Sequence, residues 1–174
     1  MSAGHLRAMG VRRGHEGSVD DRVTLAYEDR LIRRRRILAE SGLAVLVDLP
    51  SAVSLDEGDA LELEDGRLVG VRAAPEPLLA VRGDLARLAW HIGNRHAPAR
   101  IEPDRLLVRR ELVMAAMLRG LGATVTEVEA PFVPEGGAYG EGRVMGHSHA
   151  TAPGERPWDA PDPLGLAGVG HDPL

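Results

Sequence analysis

The stretch Gly83-Asp84-Leu85-Ala86-Arg87-Leu88-Ala89-Trp90-His91-Ile92-Gly93-Asn94-Arg95-His96-Ala97-Pro98-Ala99-Arg100-Ile101 decides the fold. Leu85, Leu88, Ala89 and Ile92 fall at i, i+3, i+4 and i+7, the spacing of one apolar helix face. Asp84 stands at the N-cap position, where a short carboxylate accepts from the unpaired N–H groups of the first turn. Gly93, Asn94 and Pro98 then break the helix, and Ala99–Ile101 reads as a strand. His96 is left at the point where the chain turns, one turn beyond Ile92 on the apolar stripe if the helical path roughly continues.

Ahead of the helix, residues 78–81 form a short apolar strand, and beyond it Glu102-Pro103-Asp104-Arg105 turns the chain into another strand at 106–108. Residues 109–119 form a second helix with Leu112, Ala115, Ala116 and Arg119 on one side, and Gly120 and Gly122 stop it. A β-branched strand at 123–128 completes the order β-α-β-β-α-β. That order predicts a ferredoxin-like domain, placed at residues 75–142.

Toward the N-terminus the rhythm is that of strands and turns. Val23-Thr24-Leu25, residues 31–39, the apolar run 42–49 ending at Pro50, residues 60–63 and residues 67–73 are candidate strands, with Asp65-Gly66 as a hairpin signal. They predict a small all-β sandwich or open barrel over residues 20–74, joined through a linker at Ala74-Pro75-Glu76-Pro77. Residues 1–19, with His5 and His15, read as a flexible N-terminus, and the Gly- and Pro-rich residues 143–174 as a disordered tail. The expected class is α+β in two domains. Within the β part, Arg33-Arg34-Arg35-Arg36 between Ile32 and Ile37 is either a solvated strand edge, where charge discourages edge-to-edge pairing, or a surface for an acidic partner.

Composition narrows the chemistry. The net charge of −5 disfavours a nucleic-acid partner. Cysteine is absent, which removes disulfides, thiol nucleophiles and thiolate metal sites. There is no signal-peptide pattern and no apolar run near the ~20 residues of a membrane span, so a cytoplasmic protein is expected. No Gly-x-Ser-x-Gly elbow or phosphate-binding glycine loop occurs, and the carboxylates sit in turns; an enzyme is not expected.

Histidine remains. His96 admits two readings, a helix-end histidine bonded to backbone or a metal ligand. His147 and His149 form a His-x-His pair whose side chains would point the same way in an extended chain. One imidazole per chain cannot hold a borderline ion tightly. Two copies across a two-fold axis would bring two imidazoles together, and imidazole suits nickel, copper and zinc.

The block His91-Ile92-Gly93-Asn94-Arg95-His96-Ala97-Pro98-Ala99-Arg100-Ile101 resembles the signature of the UreE family of urease accessory nickel chaperones. Gly58-Asp59 with Leu61, the run Leu118 to Ala123 with Leu121-Gly122, and Pro131-Phe132-Val133-Pro134-Glu135-Gly136-Gly137-Ala138-Tyr139 match the family in the same order. The resemblance implies a peptide-binding type of β domain and a ferredoxin-like metal-binding domain. It also implies a homodimer with Ni2+ as cargo between the two His96 side chains, joined by His147 and His149, with Zn2+ or Cu2+ able to take the same site. The nickel would pass to a urease accessory GTPase and the urease apoprotein complex. Where some members carry extra histidines at the second helix, this chain has Arg110 and Leu112, so secondary surface sites are not expected. The alternative is a metal-independent interaction module in which His96 is structural.

Overall fold

Alternating apolar residues build a six-stranded sheet from the first half of the chain. The computed structural model describes residues 6–136. The strands are β1 (Leu6–Arg12), β2 (Asp21–Leu25), β3 (Leu31–Leu38), β4 (Ala44–Ser54), β5 (Ala60–Leu63) and β6 (Leu68–Ala73), side by side in the order β2-β6-β5-β1-β4-β3. Val45, Val47 and Leu49 of β4 alternate inward and meet Val23, Leu61 and Val69 in one core. The two edges approach each other, because Glu40 N–H, just past β3, donates to Arg22 O of β2 at 2.8 Å. The sheet therefore curls in the manner of an open barrel. Gly66, at φ 87, makes the tight turn between β5 and β6 that the Asp65-Gly66 pair predicted.

The structure departs from three expectations. Residues 6–12 are not a loose arm: β1 lies inside the sheet, parallel to β4 and antiparallel to β5, with Ala8 fully buried. Its inward positions are small, so its pattern carries little hydrophobic signal. It is anchored by the buried carboxylate of Asp59, which accepts from Arg13 Nη1 at 2.6 Å, Gly14 N at 3.0 Å and Asp56 N at 2.9 Å. Pro50 does not end β4. The ladder jumps from Ile32↔Val53 to Arg34↔Asp48, and the proline sits in the bulged residues between, where no ladder N–H is required. Nor does a linker follow β6. Ala73 closes one sheet and Pro75 opens the next, and both prolines of the supposed linker lie where the new strand pairs on one side only. β3 is an edge strand with Arg33, Arg34, Arg35 and Arg36 all exposed; Arg34 faces Asp48 at 3.7 Å and Arg35 faces Asp29 at 2.6 Å.

The second sheet contains β7 (Pro75–Arg82), β8 (Ala99–Ile101), β9 (Leu106–Arg109) and β10 (Thr124–Pro131) in the order β10-β7-β9-β8, all antiparallel pairs. With α1 (Leu85–Gly93) and α2 (Leu112–Gly120), it forms the expected ferredoxin-like βαββαβ arrangement, and the α+β class holds. Leu79 and Val81 of β7 and Leu106 and Val108 of β9 pack against Leu88 and Ile92 of α1 and Met114, Ala115 and Leu118 of α2. Leu78, Ala80 and Leu107 point the other way, onto Phe132 and Tyr27. Burial on both faces explains why these strands are unbroken apolar runs. The second helix starts later than its pattern implied, since Arg109 still pairs with Leu78. Its buried side is Met114, Ala115 and Leu118, which leaves Leu112 86% and Val113 61% exposed.

The two sheets are joined by side chains that precede β3 and follow β10. The 3-10 turn Glu28–Arg30 buries Arg30, whose guanidinium donates to Phe132 O and lies 5.5 Å from the centre of the Tyr27 ring. Tyr27 and Phe132 meet edge to face at 5.1 Å, and Tyr27 N–H donates to Glu76 Oε2 at 2.8 Å.

Candidate metal centre

The end of α1 determines how His96 is held. Asp84 caps the start of the helix as predicted, accepting from Arg87 N at 3.2 Å. At the other end, His96 N–H donates to Gly93 O at 2.8 Å and Ala97 N–H to Ile92 O at 3.4 Å. These are the two crossed bonds of a Schellman motif, with His96 at the C′ position that glycine usually occupies. Its φ is 53°, the one positive value at a non-glycine residue among the described residues. A side chain in that conformation costs about 1–2 kcal/mol, which the local contacts must offset. Ile92 and Ala97 supply the apolar contact that accompanies the motif, both belonging to the core under the helices.

The motif ends in Pro98 and delivers the chain into β8. His96 itself is exposed and lines a cleft of about 300 Å3 whose walls are mainly Ile92, Ala97, Pro98, Ala99 and Ile101. Across it lie Glu135 and Gly136, placed there by the bond from Glu135 N–H to Ala99 O at 2.8 Å. A second cleft, about 530 Å3, adjoins through Ile101 and Glu135 and is lined by Arg72, Arg100 and Glu57. Arg100 is engaged there, 3.1 Å from Glu102 and 3.4 Å from Pro131 O.

Of the three predicted ligands, His96 alone falls within the described part. His147 and His149 lie outside the described residues. His91 is half-buried, meets Trp90 edge-on at 4.9 Å and does not line the cleft. His15 faces Ser18 O at 3.2 Å within its own turn. No group of three or more His, Asp or Glu side chains among the described residues is placed to hold a metal ion. Glu135 was not singled out as a site residue, although it stands inside the Pro131-Phe132 block; only the fold brings it beside His96.

Fold and cleft together define a two-domain α+β protein that presents one imidazole at the end of a helix in its ferredoxin-like part. Two family models match in succession: the UreE urease accessory protein N-terminal domain over residues 3–74 and its C-terminal domain over residues 73–156. The chain belongs to the UreE urease accessory protein family. Among its relatives, the urease accessory protein UreE of Ruegeria pomeroyi is 57% identical over 79% of this chain and 93% of its own length. The protein of that name from Rhodobacter capsulatus is 53% identical over 86% of this chain and 96% of its own. That of Paracoccus denitrificans is 58% identical, covering 77% and 86%.

Proposed function

We propose that this protein is a nickel metallochaperone: it carries Ni2+ between the His96 side chains of two copies and delivers it for assembly of the urease active site. The observation that carries the reading is His96, an exposed imidazole kept in a left-handed backbone conformation at the mouth of an apolar-walled cleft. Backbone strain of this kind persists at sites where the side chain has work to do. Imidazole nitrogen suits nickel, copper and zinc, so Zn2+ and Cu2+ compete for the same donors.

One imidazole is too few for tight binding, and an isologous dimer doubles it. Ile101 on the cleft wall and Leu112 and Val113 at the start of α2 are exposed apolar side chains of the kind that self-association covers. His147 and His149 supply further nitrogens to the same ion. The cargo passes to the urease accessory GTPase and the urease apoprotein complex in the cytoplasm, a route supported by the accessory role in the relatives' names. Among the described residues no helix is long and apolar enough to cross a membrane.

Calorimetric titration with Ni2+ tests the reading. The wild type takes up about one ion per two chains, and His96→Ala weakens binding by at least roughly a hundredfold, the upper end of what even a supporting residue contributes. Wild-type affinity in His96→Ala would refute the assignment and leave the interaction-module reading standing.

A further inference from the structure

We infer that Glu135 supplies a carboxylate oxygen to the ion held at His96. The inference rests on the nickel reading above and adds a ligand from the folded part of the chain.

Position is the first argument. His96 and Glu135 line one cleft, and each is tied to the start of β8, His96 through the Schellman motif and Pro98, Glu135 through its N–H on Ala99 O at 2.8 Å. The segment is also fixed upstream, because Phe132 is fully buried and its carbonyl accepts from the buried Arg30. Glu135 is therefore delivered to the cleft by the core of the protein and not by a free loop.

Availability is the second. Arg72 and Arg100 line the adjoining cleft with Glu135, yet Arg100 pairs with Glu102 at 3.1 Å, and no ion pair among the described residues engages Glu135. Its carboxylate thus lines the His96 cleft without an ion pair among the described residues.

Chemistry is the third. A borderline dication accepts both imidazole nitrogen and carboxylate oxygen, and two neutral imidazoles leave its full charge uncompensated. One carboxylate from each copy neutralises that charge. In the metal-free protein Arg72 and Arg100 share the adjoining cleft with Glu135, so the carboxylate has cationic neighbours there.

The test uses the full chain carrying Glu135→Gln, which keeps the shape and removes the charge, with His96→Ala alongside. The expected result is a roughly tenfold loss of Ni2+ affinity in Glu135→Gln, with an unchanged thermal midpoint because the side chain is exposed. The ratio of Ni2+ to Mn2+ affinity should rise, since the harder ion depends more on the oxygen donor; a purely structural role would leave that ratio alone. Affinity within about twofold of wild type in Glu135→Gln, while His96→Ala loses nickel, overturns the carboxylate assignment alone. Wild-type affinity in both variants overturns the His96 reading and this inference with it.

Discussion

At His96, backbone stability and the proposed chemistry pull in opposite directions. At C′ of a helix glycine is the comfortable residue, because a Cβ at φ near +55° crowds the following carbonyl. Histidine is tolerated there somewhat better than most residues, but it still pays part of that cost. Two substitutions separate the backbone effect from the side chain. His96→Ala keeps the Cβ and His96→Gly removes it, and neither carries an imidazole. The metal-free His96→Gly protein should be more stable than His96→Ala by about 1 kcal/mol in urea unfolding. Both should fail to take up nickel at the proposed shared site. Equal stability of the two would mean that residue 96 does not adopt the left-handed conformation in solution. The sequence shows the histidine and the helix break. It does not show the sign of φ, which follows from closing the two crossed hydrogen bonds over Ile92 and Gly93.

At the level of elements, residues 131–136 connect the site to both cores. Phe132 is fully buried against Leu78, Ala80 and Leu107, meets Tyr27 edge-on, and through its carbonyl holds Arg30. Three residues on, Glu135 is bonded to β8 in the His96 cleft. Phe132→Ala should therefore cost about 3–5 kcal/mol of stability, the range for emptying a buried aromatic site, measured by chemical unfolding of the metal-free protein. It should also weaken nickel binding although residue 132 touches no ligand; full-strength binding would show that the segment does not position the cleft. The helices were legible because Asp84, the apolar spacing of α1 and the glycines at the end of α2 are local signals. So were β2, β5 and β6, framed by turns. What was not legible depended on distant partners. β1 has small inward residues and owes its place to β4, β5 and the Asp59 carboxylate. Pro50 looked like a strand end because its bulge is defined only against β3. The meeting of Glu135 with His96 is likewise a tertiary fact, and no spacing along the chain announces it.

At the level of the whole molecule, acid acts on stability through carboxylates and on the proposed loading through competition of protons for the ligand nitrogens. Asp48 is held below the usual carboxylate range by the hydrogen bond from Arg7, opposed by its desolvation and aided by the nearby charges of Arg34 and Arg33. The Ser41 hydroxyl does the same for Asp21, and the Arg67 backbone N–H for Asp65. A carboxylate whose pKa is lower folded than unfolded contributes stability above its unfolded value of ~3.9 and loses it as pH falls through the folded value. All three lie in the six-stranded unit and face solvent, so each contribution is small, and its loss begins only below about pH 4. Ligand imidazoles must be neutral to bind a cation, so protons compete with the metal as pH falls. A drop from pH 8 to 5.5 should therefore weaken nickel binding, by more for two imidazoles than for one. Over the same interval the thermal midpoint of the metal-free protein should stay level, and it should decline only under more acid conditions. Calorimetry and circular-dichroism melts on the same samples measure both curves. A melting curve that fell together with affinity between pH 8 and 5.5 would make release a consequence of unfolding. Affinity that stayed constant across that interval would assign the ion to carboxylates such as Glu135 without His96. Loss of affinity on an intact fold is the behaviour of a carrier that lets its cargo go and can be loaded again.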